Sequence, residues 1–123
     1  MTGSSEAATQ KLQITSDGRG LSQFTVKAWF NFNGTGTVAF RDSHNCSSIG
    51  DEGTGNYTIN FTNDMANVNY STVVMSGNKL QYWGIPLYDG TGSYAAGSVQ
   101  FYLNDPSDSA QDNDIICGQI FGD

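Results

Sequence analysis

The sequence contains few charges, few prolines and almost no histidine. Of its 123 residues, 14% are charged, two are proline and one is histidine. A single histidine argues against a multi-histidine metal centre, and two prolines exclude a proline-rich linker. No uncharged apolar run approaches the roughly 20 residues that a membrane helix needs, so we expect no membrane insertion.

Basic residues are also scarce. Five Lys and Arg stand against twelve Asp and Glu, which gives a formal net charge of −7. An acidic surface repels the phosphate backbone, and its binding to nucleic acid would require a basic patch that the sequence does not supply. We therefore expect no nucleic-acid partner.

Cysteine is rare, since Cys46 and Cys117 are the only thiols in the sequence. Nothing in the sequence places their Cα atoms within disulfide reach. The first residues show neither the basic nor the apolar segment of a secretory signal. We therefore expect two reduced, buried thiols, with one disulfide as the alternative.

Small uncharged polar residues take the place of the missing charges. Gly, Ser, Thr and Asn together account for 50 of the 123 residues, and 12% of the chain is aromatic. This composition favours an all-β protein with many tight turns. The length allows one domain, with room for a short additional arm.

Alternating apolar and polar residues predict β-strands. The alternation extends over residues 24–32, 56–62, 67–75 and 98–103, with period two. Asn33-Gly34 predicts a hairpin turn, followed by a return strand over 37–41. Residues 45–49 predict a short strand at best, Pro86 predicts an edge or a strand end, and residues 113–121 predict a final strand.

These segments predict an antiparallel β-sandwich of about seven or eight short strands with no significant helix. Residues 21–123 would form the sandwich domain. Residues 1–20, which begin with a Ser/Thr/Ala/Gly-rich segment, are predicted to be a flexible N-terminal arm or linker.

Residue types used in catalysis occur, but their spacing does not favour an active site. Asp42, Ser43 and His44 are consecutive, and consecutive side chains of an extended strand point to opposite faces. The acids at 51–52 and 105–114 lie in turns and polar loops without an aromatic environment to raise a pKa. Calcium binding in the Asp-Gly turns is the remaining alternative, although no complete calcium-loop motif is present. We expect no enzymatic activity, no metal and no cofactor.

Aromatic residues beside a Gly-rich loop form the most distinctive candidate site. Tyr82 and Trp83 precede Tyr88, Asp89 and Tyr94. Aromatic rings can stack on sugar C–H groups while Asp accepts hydroxyl hydrogen bonds. We predict ligand contacts at Trp83, Tyr88, Asp89 and Tyr94. Packing in the core or at a subunit interface is the alternative, and the pattern favours it. Trp29 lies on the face of its predicted strand opposite to Phe24 and Phe30. Aromatic residues on both faces indicate that the strand is buried on both sides, with a partner subunit covering the outer face.

Two segments also resemble a known family. Residues 27–49 begin Lys-Ala-Trp-Phe-Asn-Phe-Asn-Gly-Thr-Gly-Thr-Val-Ala, and residues 51–62 read Asp-Glu-Gly-Thr-Gly-Asn-Tyr-Thr-Ile-Asn-Phe-Thr. They resemble a domain common in phage tail-fibre and virion structural proteins, notably of marine phages. Residues 118–123 resemble its last strand, whereas 76–112 show no resemblance. Cys46 departs from the family, which usually has Val there.

The resemblance implies a trimeric β-rich appendage module located on the virion and assembled in the host cytoplasm. Its expected partners are sister copies, other virion proteins and a host surface glycan, with residues 76–112 facing the ligand. The resemblance implies no catalytic residue. The expected function is host attachment through receptor (glycan) binding, and the alternative is a structural virion protein for capsid decoration or tail assembly.

Overall fold

Nine β-strands make up the regular structure of the computed structural model, which describes residues 25–77, 83–86 and 93–123. They are β1 (Val26–Asn33), β2 (Ala39–His44), β3 (Cys46–Gly53), β4 (Asn56–Phe61), β5 (Ser71–Ser76), β6 (Trp83–Pro86), β7 (Tyr94–Ala95), β8 (Ser98–Asn104) and β9 (Ile116–Phe121). No helix occurs in these described ranges. The expected all-β class is confirmed.

The strands form two packed sheets joined at one side. Antiparallel pairing runs in the order β2-β1-β9-β5-β6-β8-β4-β3, and β7 pairs with β8. We call β2-β1-β9-β5 the front sheet and β6-β8-β4-β3 the back sheet. The register between β5 and β6 contains one Cα pair, Met75 with Trp83, so the sheets join through a short contact. This arrangement confirms the expected sandwich.

Aromatic rings fill the space between the sheets. Phe30 of the front sheet stacks on Phe101 of the back sheet, with ring centroids 5.8 Å apart and planes within 8°. Phe32 meets Tyr57 edge-on at 5.1 Å. The alternating positions predicted from the sequence supply most of the buried core: Ala28, Phe30, Phe32, Tyr57, Ile59, Phe61, Val99, Phe101 and Leu103. Burial of this apolar surface is the main favourable term in the folding of the sandwich.

The predicted hairpin after β1 forms, but its glycines have different roles. Asn33 pairs with Ala39, so the connection spans 34–38. The Asn33 side-chain oxygen accepts hydrogen bonds from the Thr35 amide and hydroxyl, and Gly36 supplies the positive φ of 60°. Gly34 is needed for close approach, because a Cβ there would lie 2.6 Å from the Tyr57 hydroxyl.

Asn45 forms the corner where the chain passes from β2 in the front sheet to β3 in the back sheet. Its φ is 56°, a left-handed conformation that Asn tolerates better than most residues. Its side-chain amide donates to the carbonyls of Lys27 and Asn63, both at 3.1 Å. Its side-chain oxygen accepts from the Asn63 amide at 2.7 Å. One side chain therefore connects strand β1 with the segment that follows β4.

Several sequence-based boundaries were wrong. The strand predicted over 45–49 is an eight-residue strand, β3, whose main chain pairs with β4 down to Gly53. The strand predicted over 67–75 begins at Ser71, and Val68 is exposed in the preceding loop. The return strand extends to His44. Pro86 ends β6 as expected, and the last strand is tied into the front sheet between β1 and β5.

Both cysteines are free, as expected from the sequence, but they are half-buried and not buried. The Cys46 sulfur lies 3.4 Å from the carbonyl oxygen of Trp29 and 3.3 Å from that of His44, and its single S–H can donate to either. The predicted N-terminal arm, 1–20, lies outside the described residues.

Candidate interaction surfaces

The site predicted from the aromatic cluster is described only in part. Tyr88 and Asp89 lie outside the described residues, and Trp83 is placed by its backbone, which pairs with Met75 and Asn104. Tyr94 is half-buried, and its ring centroid lies 5.0 Å from that of Tyr70 in the core. Tyr94 therefore packs in part on the core, and the ligand contacts predicted at Trp83, Tyr88, Asp89 and Tyr94 stay predictions.

The outer surface of the front sheet is apolar at its centre. Cross-strand register aligns Trp29 with Gln119 and Val73, and Asn31 with Cys117 and Met75. These six side chains line an open groove of about 410 Å³, which we call the front groove. Val73 and Met75 are 57% and 62% exposed. The groove therefore exposes an apolar surface to solvent, and such surfaces often mark sites of contact with other proteins.

Two polar groups modify the front groove. The side-chain oxygen of Asn31 is buried and makes no hydrogen bond within the described part of the chain. Burial raises the pKa of the Cys117 thiol, and the nearby Arg41 opposes that shift. The thiol is therefore protonated at neutral pH and contributes an apolar surface.

Across β3, β4 and β8, the outer surface of the back sheet is polar and mostly uncharged. Gln100 of β8 donates from its side-chain amide to the Asn56 side-chain oxygen of β4 at 2.8 Å. Asn60 donates to the Ser48 hydroxyl at 3.0 Å, and the Thr58 hydroxyl donates to Glu52 at 3.1 Å. We call these six side chains, together with Tyr102, the back face. Amides and hydroxyls in this arrangement offer donors and acceptors side by side.

Tyr102 is the aromatic member of the back face. It lies directly opposite Asn56 in the register of β4 and β8. Its neighbours along β8, Phe101 and Leu103, are fully buried, whereas Tyr102 is half-buried. The side chain therefore lies on the outer surface and is partly exposed to solvent.

The residue types considered for catalysis diverge in the structure. Asp42 and His44 pair with Asn31 and Trp29 on the outer side of the front sheet, while Ser43 pairs with the core residue Phe30. This confirms the predicted alternation along the strand. No group of three or more His, Cys, Asp or Glu side chains suited to a metal ion occurs in the described ranges.

Acidic residues cluster at one end of the sandwich, around the β3–β4 turn and the β8–β9 loop. Asp112 accepts hydrogen bonds from the Gly55 amide at 2.8 Å and the Tyr57 hydroxyl at 2.7 Å. The Asp105 carboxylate accepts from the amides of Ser107 and Ser109 and from the Gln111 side chain. Its pKa is lowered, chiefly by the Ser109 amide. These acids stabilise their own loop and turn.

Comparison with protein-family models, curated proteins and solved structures finds no match. The resemblance to phage appendage domains therefore stays a prediction. Within residues 25–77, 83–86 and 93–123, there is no helix with the length and hydropathy to cross a bilayer.

Proposed function

We propose that the protein is a surface module of a phage virion, from a tail fibre or a related appendage, and that it attaches the particle to a glycan on the host. It assembles in the host cytoplasm as a homo-oligomer, of which a trimer is the expected form. The module works by binding, without catalysis or a cofactor.

The observation that supports this proposal is the contrast between the two outer surfaces of the sandwich. The front groove exposes Val73 and Met75 beside Trp29, while the back face presents amides and hydroxyls such as Asn56, Gln100 and Asn60. Apolar surface is suited to a protein neighbour. A mostly uncharged polar surface with an aromatic ring is suited to sugar hydroxyls and C–H groups.

A glycan array tests the attachment proposal directly. The labelled full chain is applied to bacterial surface polysaccharides and oligosaccharides, and hits are confirmed by competition with the free sugar. We expect saturable binding to a restricted set of glycans. Absence of binding across the array, together with no competition of particle adsorption by the isolated protein, would refute attachment.

The front groove also favours a second candidate function, a structural virion protein used in capsid decoration or tail assembly. That protein would bind another virion component through the groove and would have no affinity for carbohydrate. Antibody labelling of particles viewed by negative-stain microscopy distinguishes the two by position: we expect label on fibres for attachment and on the capsid or tail tube for the structural role.

Light scattering tests the self-assembly part of the proposal. Three copies of the 13.2 kDa chain would give a particle near three times that mass. Val73→Thr and Met75→Gln in the front groove should shift that mass toward the monomer. Val68→Thr is the matched control, since Val68 is 49% exposed in the loop before β5 and does not line the groove. A monomeric wild-type protein would contradict self-assembly.

A further inference from the structure

We propose that Asn56, Gln100 and Tyr102 on the back face form a sugar subsite that binds a neutral pyranose through two adjacent hydroxyl groups. This inference rests on the proposed attachment function and assigns it to particular residues. The three residues come from β4 and β8, so the subsite lies on two paired strands of the back sheet.

The hydrogen bond between the two amides leaves one amino group and one carbonyl oxygen available. Gln100 donates to Asn56 at 2.8 Å, which uses one N–H of Gln100 and the oxygen of Asn56. The Asn56 amino group and the Gln100 oxygen make no other hydrogen bond among the described residues. Reversing both amides gives the same result, because one amino group and one carbonyl oxygen still remain.

A donor and an acceptor placed side by side match two neighbouring sugar hydroxyls. One hydroxyl accepts from the amino group and the other donates to the carbonyl oxygen. The two amides restrain one another across paired strands, so less side-chain freedom is lost when a sugar binds. Isolated surface amides lack this restraint.

Tyr102 supplies the apolar part of the subsite. Its Cα is paired with that of Asn56, and it lies two residues after Gln100 on the same face of β8. Tyr102 makes no hydrogen bond or ring contact with the described part of the chain. Its half-buried ring therefore offers a surface on which the C–H face of a pyranose can pack while the hydroxyls reach the amides.

Charge near the subsite favours a neutral sugar. Glu52 accepts from Thr58, the residue paired with Gln100, and Asp108 accepts from Asn104, two residues beyond Tyr102. The only Lys and Arg in the described ranges, Lys27 and Arg41, lie on β1 and β2 of the front sheet. A uronic acid or sialic acid at the subsite would face carboxylates without a compensating cation from the part of the chain that the structure describes.

The test uses the full chain with neutral oligosaccharides and their carboxylated counterparts, measured by array and by isothermal titration. Gln100→Ala, Asn56→Ala and Tyr102→Ala should each weaken binding about tenfold or more, because each removes a hydrogen bond or the packing surface. Tyr102→Phe should retain most of the affinity. Carboxylated sugars should bind more weakly than neutral ones.

Asn67→Ala is the matched control, since it removes an exposed side-chain amide from the loop before β5, away from the back face. Thermal unfolding of every variant checks that the sandwich remains folded. If all three alanine variants bind sugar as tightly as the wild-type protein, the subsite proposal is overturned while the attachment proposal stands. No glycan binding by the wild-type protein would overturn both proposals.

Discussion

Replacement of Gly118 by alanine should destabilise the protein by adding one methyl group to a filled core. Gly118 lies in β9, at the centre of the front sheet, opposite Phe30. A Cβ there would lie 2.7 Å from both Cε1 and Cε2 of the Phe30 ring and closer still to Cζ. Carbon atoms normally pack at about 3.5–4.0 Å. The ring is 1% exposed and stacked on Phe101, so it has no free space to enter.

Two opposing terms determine the magnitude. Overpacking a filled core costs about 1–3 kcal/mol. Alanine is favoured over glycine in a strand by about 0.5–1 kcal/mol, through lower entropy of the unfolded chain. The net loss should be about 1–2 kcal/mol, which corresponds to a fall in Tm of about 5–10 °C for a domain near this size.

Thermal and urea unfolding monitored by tryptophan fluorescence measure the effect. The matched control is Gly50→Ala in β3, where the new Cβ would meet the end of the exposed Glu52 side chain, which can rotate away. We expect that control to equal or slightly exceed wild type. Phe30→Leu should reduce the extra loss caused by alanine at 118, a coupling that a double-mutant cycle measures. Equal stabilities of the 118 and 50 variants would refute the packing argument.

Three further predictions follow from single side chains. Tyr57→Phe should cost about 2 kcal/mol, because it removes a buried hydroxyl that lies within hydrogen-bonding distance of the carboxylate of Asp112 and the carbonyl of Gly34; urea unfolding measures this loss, and an unchanged midpoint would contradict it. Asn45→Ala should be less stable than Asn45→Gly, since alanine loses the same hydrogen bonds and is also strained at a φ of 56°; equal stabilities would mean that the backbone strain is absent. Burial raises the pKa of the Cys46 thiol from 9.0 to about 11. The contribution of that thiol to stability is therefore complete below pH 9 and is lost as the pH rises toward 11. Cys46→Ala should show a smaller fall in the urea midpoint over that interval, and an identical pH dependence of the two proteins would contradict this.

Much of the fold could be predicted from residue patterns because three strands alternate without interruption. In β4, for example, Tyr57, Ile59 and Phe61 are buried and the residues between them face outward. Alternation of apolar and polar residues does not predict a strand whose side chains are not alternately buried. In β3 few side chains are apolar, and the strand exists because its main chain pairs with β4. That pairing is invisible in the local sequence.

The loop before β5 shows a different limit. Val68 continues the alternation of that segment, but it lies outside the sheet and is 49% exposed. The chain here is held by main-chain bonds instead. Met65 donates to the Ala96 carbonyl and Ala66 donates to the Asp123 carbonyl. Such contacts between distant segments override a local strand preference.

The candidate binding residues were harder to predict than the core. The sequence pattern predicts contacts at Trp83, Tyr88, Asp89 and Tyr94 because aromatic residues stand beside a Gly-rich loop. The structure places the ring of Tyr94 against Tyr70. Asn56 and Gln100 are far apart in the sequence and meet because β4 pairs with β8 in one particular register. The sequence pattern predicts that both residues lie on the polar side of their strands, but it does not predict that they lie close together.

The two outer surfaces are separable because each is built from a different sheet. Between them lies a core in which Phe30 stacks on Phe101, so a change in an exposed side chain of one surface need not disturb the other. Val73 and Met75 protrude from the front groove, and Gln100 and Tyr102 lie on the back face. Distant, independent substitutions generally have additive effects. Front-groove variants should therefore change assembly while leaving the affinity of a single copy for sugar unaltered, and back-face variants should do the reverse; only avidity would link the two, since fewer copies per particle mean fewer simultaneous contacts with a polysaccharide.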